Sequence, residues 1–127
     1  MGRSDLINKI TQGDAWALLE SGGWGDVGTC IFSPPAIEDF REAPNEQAYV
    51  SLFTRLFFLL KKWIRPDGAI WYVGNDSLGD VEFIPEQICL NAQRFGWVTK
   101  QRFFRPVRND VEYIFLLTQG EIGRAHV

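Results

Sequence analysis

A chain of 127 residues is long enough for one domain with a sizeable core, and its 46% hydrophobic content excludes a disordered protein. The net charge of −3 gives no general indication of nucleic-acid binding, so any such surface must be local. Cys30 and Cys89 lie in apolar contexts without metal-binding spacing, which predicts reduced thiols in a cytoplasmic protein that binds no metal. The longest apolar run, residues 56–60, is too short to span a bilayer, and the N-terminus lacks a signal-peptide pattern; we therefore expect no membrane association.

The first half of the chain predicts two helices and one strand. Asp14 to Leu19 is typical of a short helix with Asp14 as its N-cap. Val27 to Phe32 is a continuous apolar run, which predicts a strand buried on both faces. The polar residues 38–45 include a proline and predict a loop. Glu46 to Ile64 has the wide apolar face of a long helix, with two lysines near its end, where the helix dipole favours cations.

The second half predicts a strand, a helix and then two strands. A turn signal at Pro66–Gly68 precedes a second buried strand, and Gly96 ends the predicted helix. The predicted elements are strand Ala69–Val73, loop Asn75–Phe83, helix Pro85–Phe95, strand Trp97–Phe104, loop Arg105–Asp110 and strand Val111–Thr118.

This alternation predicts an α/β fold: a three-layer sandwich with helices on the sheet faces and right-handed crossovers between parallel strands. The last two strands are too close in sequence for a helical crossover, so they must be antiparallel. In such sheets ligands bind outside the carboxyl ends of the strands. Ser33, Pro34, Pro35 and Asn75 all fall at such ends, although for Asn75 the pattern favours a turn residue over a substrate contact.

The segment Phe32-Ser33-Pro34-Pro35 gives this end of the sheet a specific chemistry. Each proline fixes its own φ, and Pro35 also restricts Pro34. Neither proline has an N–H, so the turn presents a hydroxyl and carbonyl oxygens but no main-chain donor at the prolines. An exocyclic amino group needs acceptors for its two hydrogens. The sequence therefore predicts a site at which an amine is alkylated.

A second motif has the wrong context for the function that it suggests. Residues 23–28 fit the glycine pattern GxGxxG. A cofactor loop of that type requires a strand before it and a helix after it, and here the order is reversed. The pattern favours a flexible connector.

The chain resembles the amino-group DNA methyltransferases, the cytosine-N4 and adenine-N6 enzymes, in the permuted arrangement that begins with Ser-Pro-Pro. The similarity lies in four blocks in the family's order, which together cover roughly residues 9 to 119. They are TQGDAWALLESGGWGDVGTCIFSPPAIEDF, LKKWIRPDGAIWYVGN, FGWVTKQRFFRP and NDVEYIFLLTQ. The resemblance implies a partial Rossmann-like sheet of about four strands.

The resemblance also implies roles for individual residues. Ser33 and the Pro34 carbonyl, in the turn stiffened by Pro35, would accept hydrogens from the amino group of a flipped-out DNA base. S-adenosylmethionine would donate the methyl group, with Asp14 beside its adenosine. Family members usually carry an aromatic residue after Ser-Pro-Pro, whereas this chain has Ala36; losing that stacking costs ~1–3 kcal/mol. Phe32 or Phe40 are the rings able to replace it.

Residues 94–108 carry cations and aromatic rings but no acid. The cations are Arg94, Lys100, Arg102, Arg105 and Arg108, interleaved with Trp97, Phe103 and Phe104. Contact with DNA phosphates would explain the pattern, with Arg105 and Arg108 as the substrate-binding candidates. Charges that protect a solvated edge strand from pairing would explain it equally well.

Two functions follow. The first is a site-specific DNA methyltransferase of a restriction-modification type, from a prokaryotic or phage cytoplasm. The second is an inactive or partial domain that binds nucleic acid or a partner subunit. The family's glycine-rich cofactor loop and target-recognition region have no counterpart here, so we expect residues 1–120 to be a partial catalytic domain that is inactive in isolation. A complementary segment or subunit would supply the missing strands, leaving Val27–Phe32 at an exposed edge.

The last seven residues, 121–127, have no family counterpart. We expect them to be an artefactual or disordered tail of a truncated reading frame, which leaves His126 without a catalytic role.

Overall fold

A computed structural model of the chain describes residues 12–37, 40, 45–77, 83–108 and 110–120, without the side chains of residues 76 and 77. Three α-helices and four strands are found in these residues. The helices are α1 (Ala15–Glu20), α2 (Glu46–Leu60) and α3 (Ile84–Ala92), and the strands are β1 (Val27–Phe32), β2 (Ile64–Ser77), β3 (Trp97–Val107) and β4 (Asp110–Gln119). The predicted loop over 38–45 and the predicted tail over 121–127 lie largely or wholly outside the described residues.

The four strands form one mixed sheet in the order β1-β2-β4-β3. β1 and β2 are parallel and are connected through α2, whereas β4 is antiparallel to both β2 and β3. The sheet confirms the predicted parallel pair, the predicted antiparallel final pair and the predicted edge position of β1.

The core lies between the sheet and the helices. α2 carries buried apolar residues three to four positions apart, including Tyr49, Phe53 and Phe57, so one helical stripe faces the sheet. That stripe belongs to the same core cluster as Ile88 of α3 and Trp97 of β3. The connections from β1 to β2 and from β2 to β3 run in the same direction across the sheet. Because both crossovers are right-handed, their helices, α2 and α3, lie on the same face.

The opposite face of the sheet is apolar and carries none of the described helices. Strand register puts one set of alternating residues on it: Thr29, Ile31, Trp71, Val73, Phe103, Ile114 and Leu116. Ile31 is 73% exposed and Phe103 is 51% exposed. The prediction that β1 is buried on both faces is therefore wrong for the described residues, because the sheet has helices on one face only.

α2 ends earlier than its sequence pattern predicts. The helix stops at Leu60, and Ile64 already belongs to β2. The turn signal at Pro66–Gly68 lies inside β2 as a bulge, because Val27 pairs with Ile64 and Thr29 pairs with Ala69. A Cβ on Gly68 would come within 2.7 Å of the Gly28 carbonyl oxygen, so glycine permits the close approach of the two strands.

The hairpin of β3 and β4 is longer than predicted. The expected loop Arg105–Asp110 shrinks to a tight turn, since β3 continues to Val107 and Val107 pairs with Asp110. β3 is an edge strand, where proline is tolerated because one side of the strand needs no donor; Pro106 therefore does not end it. Arg108 occupies the turn with a φ of 57°.

α3 and the connection before it also differ from the predicted boundaries. The helix begins at Ile84 and its last turn, Gln93–Phe95, is a 3₁₀ helix that Gly96 ends with a φ of 88°. β2 extends to Ser77, so the predicted loop over 75–83 begins later, and its residues 78–82 lie outside the described part.

Candidate active site at the carboxyl end of β1

The segment Ser33-Pro34-Pro35 follows directly on β1 and belongs to neither a helix nor a strand. Ser33 and Pro35 are exposed and Pro34 is half-buried. The preceding Phe32 anchors the turn, because its ring stacks on Tyr72 of β2 at 5.0 Å between centroids. A rigid turn is thus held at the ligand-binding end of a parallel strand pair, with its hydroxyl open to solvent.

A hydrogen bond from α2 fixes the far end of this turn. The Tyr49 hydroxyl donates to the Pro35 carbonyl at 2.6 Å. The Tyr49 ring is buried and packs on Phe53 at 4.7 Å and on Phe40 at 5.8 Å. The Pro35 carbonyl is therefore already bonded, which leaves Ser33 and the Pro34 carbonyl as the acceptors open to a ligand.

Sequence reasoning missed Tyr49. The wide apolar face predicted for Glu46 to Ile64 accounts for the buried Tyr49 ring but not for its hydroxyl. The sequence does contain a signal for this hydrogen bond. Position 49 is tyrosine rather than phenylalanine within an apolar stripe, and a buried hydroxyl needs a hydrogen-bond partner.

Three ionisable groups near the turn, Tyr72, Cys89 and Cys30, have raised pKa values. Burial, and then the nearby Tyr49, Cys89 and Glu86, raise the pKa of Tyr72 above its ordinary value. Burial also raises the pKa of the Cys89 thiol to about 12, and it raises the pKa of Cys30. None of these three groups ionises near neutral pH, so none supplies a nucleophile here.

Asp14 lies on the neighbouring helix and caps it. Its Oδ1 accepts hydrogen bonds from the backbone N–H groups of Trp16 at 2.9 Å and Ala17 at 3.4 Å, which confirms the predicted N-cap. Asp14 also lines a cleft of about 390 Å³, a volume within the range of small-molecule sites. The Trp16 ring of the same helix lies 6.0 Å from that of Phe53, which also packs on Tyr49, so α1 and the turn contact one part of α2.

Ala36 offers no ring, and the two candidate replacements are already packed. Phe40 lies edge-on to Tyr49 and 5.3 Å from Phe53, and Phe32 stacks on Tyr72. Both rings remain partly exposed beside these contacts.

The β3–β4 hairpin brings Arg105 and Arg108 to the same end of the sheet as Ser33. Both arginines are exposed, and the Arg105 Nε donates to Glu112 Oε1 at 2.9 Å. Asn75 pairs with Glu112 inside the sheet. It is an exposed strand residue, so the alternative that it closes a turn is wrong.

The glycine pattern at residues 23–28 connects α1 to β1, as its reversed context predicts. A Cβ on Gly23 would lie 2.5 Å from the Lys62 carbonyl oxygen, and Gly25 has a φ of 71°. The two glycines therefore serve a close packing contact and a left-handed backbone position, respectively.

The part of the chain that the structure describes contains no cluster of three or more His, Cys, Asp or Glu residues able to hold a metal ion. Within the same residues, no helix has the length and apolar character needed to cross a membrane.

Comparison with solved structures identifies the fold. A protein assigned as a DNA modification methylase from Thermus thermophilus, in complex with S-adenosyl-L-methionine, superimposes with a TM-score of 0.69 at 17% identity, over 85% of this chain and 51% of that one. The cytosine-N4-specific PvuII DNA methyltransferase gives a TM-score of 0.69 at 16% identity, over 86% of this chain and 48% of that one. The chain has part of a Rossmann-like methyltransferase fold.

A third methyltransferase-fold structure is more distant. The M1.HpyAVI complex with SAM gives a TM-score of 0.55 at 12% identity, over 87% of this chain and 53% of the other. The chain thus spans about half the length of the solved structures that it matches. No protein-family model and no curated protein matches the sequence.

Proposed function

We propose that this chain is the base-binding part of a site-specific amino-group DNA methyltransferase of the permuted, Ser-Pro-Pro-first type. The observation that carries the proposal is the exposed Ser33-Pro34-Pro35 turn at the carboxyl end of β1, in a methyltransferase fold. The solved structures with this fold include the cytosine-N4-specific PvuII enzyme. Cytosine-N4 and adenine-N6 are the two amino groups that such a turn would accept.

The proposed chemistry depends on two acceptors. The Ser33 hydroxyl oxygen and the Pro34 carbonyl oxygen accept the two hydrogens of the exocyclic amino group. This fixes the plane of the amino group and directs its lone pair towards the methyl donor. Correct orientation of this kind supplies a large part of the rate acceleration in transfer reactions. Pro35 keeps the turn rigid, and Tyr49 holds its carbonyl.

When bound, S-adenosylmethionine would supply the methyl group from its sulfonium centre, which would become a neutral thioether, while the methylated nitrogen would release one proton to water. The cleft beside Asp14 suits its nucleoside portion in volume, and the carboxylate is an acceptor for ribose or adenine donors. Asp14 Oδ1 already caps α1, so the other oxygen, Oδ2, is the one proposed for the nucleoside. Phe32 and Ala36 then flank the flipped base, and Arg105 and Arg108 contact DNA.

The amino-group specificity is testable by NMR titration of the chain with nucleosides. Cytidine and uridine differ at position 4, where an amino group replaces an oxo group, and adenosine and inosine differ likewise at position 6. We expect shifts of the Ser33 and Ala36 amide signals with the amino nucleoside of one pair only, which also identifies the target base. Equal shifts with both members of both pairs would refute the proposal.

Ser33→Ala provides the matched variant. Removing the hydroxyl is expected to weaken binding of the amino nucleoside by about fivefold, while the Pro34 carbonyl, which only accepts, should keep the oxo partner the weaker ligand. Ser51→Ala, an exposed serine on α2, is the control and should change neither. We expect no methylated nucleoside, by mass spectrometry of digested DNA, from the isolated chain. Detection of methylated nucleoside would contradict this expectation of inactivity.

The second candidate function is a partial domain that binds nucleic acid or a partner without turnover. In the described part of the chain, one apolar face of the sheet carries no helix and β1 has no neighbour on its outer side. Both features favour this function, because parallel sheets are normally covered on both faces. A complementary segment or subunit would add strands beside β1 and cover this face. Ile31→Lys should then reduce concentration-dependent association in analytical ultracentrifugation, and Leu90→Lys, 62% exposed on α3, should not. Equal association of both variants would count against this function.

A further inference from the structure

The β3–β4 hairpin projects beyond the candidate active site. Phe32, the last residue of β1, pairs with Tyr72, whereas β2 remains paired with β4 as far as Ser77 and Asp110. The hairpin therefore passes the end of β1 by about five residues, or roughly 17 Å at the rise of an extended strand. Every described residue of the hairpin from 100 to 108 is exposed. A projecting arm thus stands beside the Ser33-Pro34-Pro35 turn.

The outer strand of this hairpin is basic, although the whole chain has a net charge of −3. In the part that projects past β1, Arg105 and Arg108 are balanced by Asp110 and Glu112, and Arg105 pairs with Glu112. Arg102 lies level with the end of β1, because its partner Phe115 pairs with Tyr72, which pairs with Phe32. Among the residues that the structure describes, Arg102 has no ion-pair partner. It therefore places a positive charge at the end of the sheet where a ligand would bind.

Protection of an edge strand accounts for the cations but not for the rings between them. Lysine and arginine deter strand pairing, whereas an exposed phenylalanine costs solubility. Phe104 is 67% exposed and Phe103 is 51% exposed. Trp97, the third ring of the sequence pattern, is buried and belongs to the core. The exposed rings therefore indicate a ligand surface rather than protection against pairing alone.

Strand register divides this surface into two faces. Arg102 pairs with Phe115 and Phe104 pairs with Tyr113, so these two side chains share the helix-bearing face. Phe103 and Arg105 lie on the opposite, open face of the sheet. Only the first face is continuous with the candidate active site.

The continuity consists of a row of aromatic rings. Phe32 stacks on Tyr72 at 5.0 Å, Tyr72 on Phe115 at 5.7 Å, and Phe115 on Tyr113 at 5.8 Å. The row ends at Phe104, whose ring lies 6.4 Å from Tyr113. It begins at the residue before Ser33 and ends at the exposed ring that has Arg102 on the same face.

We propose that Arg102 and Phe104 form a binding surface for an unpaired DNA strand next to the target base. A base of that strand stacks on the Phe104 ring, and the Arg102 guanidinium contacts its phosphates. Base–aromatic stacking tolerates any sequence because every base has a π face. The inference rests on the proposed DNA substrate, but it concerns a different surface from the amino-group site.

The test uses fluorescence anisotropy with a short fluorescein-labelled single-stranded oligonucleotide of mixed sequence, and with the same sequence as a duplex. Phe104→Ala is expected to weaken single-strand binding by about tenfold and duplex binding much less, since only unpaired bases are free to stack. Phe58→Ala removes a ring of similar exposure on α2 and is the control. Equal losses in the two variants, or no loss for Phe104→Ala, would overturn the proposal.

The salt dependence of single-strand binding separates the contribution of charge from that of stacking. Arg102→Gln should reduce the slope of log affinity against log salt by about 0.7 for the single strand. Arg65→Gln, an exposed arginine at the start of β2, should leave the slope unchanged. An unchanged slope for Arg102→Gln would refute the phosphate contact.

The nucleoside titration serves as the independent reference. If the Phe104→Ala variant keeps both the preference for an amino nucleoside and the affinity for single-stranded DNA, the proposed hairpin surface is refuted and the proposed function is retained. If the preference is absent from the unmodified chain while single-strand binding depends on Phe104, the proposed function fails and the surface stands.

Discussion

Tyr49→Phe tests whether the Ser-Pro-Pro turn is held from α2. The substitution removes one hydroxyl and leaves the ring, which packs on Phe53 and Phe40. The lost hydrogen bond to the Pro35 carbonyl is 2.6 Å long and part-buried. Such a bond contributes about 0.5–1.5 kcal/mol net, and because Pro35 is exposed, water can replace the donor, which favours the lower half of that range.

Urea unfolding followed by fluorescence measures the global effect of Tyr49→Phe, and hydrogen exchange measures the local one. We expect a small loss of unfolding free energy together with faster exchange of the Ala36 and Ile37 amides, the first amides after the two prolines. Tyr49→Ala, which also removes the ring, should lower the unfolding free energy by about 3–5 kcal/mol. This larger loss is the reference against which the effect of Tyr49→Phe is compared. Faster exchange with little global loss would identify a local clamp.

Two results for Tyr49→Phe would refute this reasoning. Unchanged exchange at Ala36 and Ile37 would show that the prolines alone keep the turn in place. A loss of stability as large as that of Tyr49→Ala would show that the hydroxyl supports the core rather than the turn.

Three further predictions concern the scaffold. Trp97→Phe should cost about 1–3 kcal/mol in urea unfolding, because the buried indole N–H donates to the Phe57 carbonyl at 2.8 Å and its removal leaves that acceptor unpaired. Gly68→Ala should lower the thermal midpoint because its Cβ would meet β1, whereas Gly13→Ala, with open space around it, should not. Burial raises the pKa of Cys89 from 9.0 to about 12, so its contribution to stability is present below pH 9 and is lost as pH rises towards 12; unfolding measured across this range should show the loss, and Cys89→Ala should reduce it.

Much of the fold was predictable from local patterns. The apolar stripe of α2 and the apolar run of β1 each specify an element, and the short spacing between the last two strands requires a hairpin. The boundaries were less predictable because pairing partners decide them. Pro66 and Gly68 have turn chemistry, but the pairing of Val27 with Ile64 draws them into a bulge of β2.

The chemistry of the candidate site was predictable from the sequence, but the contact that holds its turn in place was not. Ser33 and the prolines indicate a stiff acceptor-rich turn, whereas the bond from Tyr49 joins residues of two elements whose packing no local pattern specifies. The sequence of Val27–Phe32 likewise did not show that one face of β1 is exposed, because a continuous apolar run does not indicate whether a helix layer covers each face of the strand.

The order of pairing in the sheet has a consequence for folding kinetics. β3 and β4 are joined by a tight turn, and Val107 meets Asp110 at almost no cost in loop closure, whereas Val27 must find Ile64 across all of α2. The hairpin should therefore form before the two longer-range pairings, β1 with β2 and β2 with β4. Because β1 carries Ser33 at its end, the turn is positioned only after the hairpin has formed.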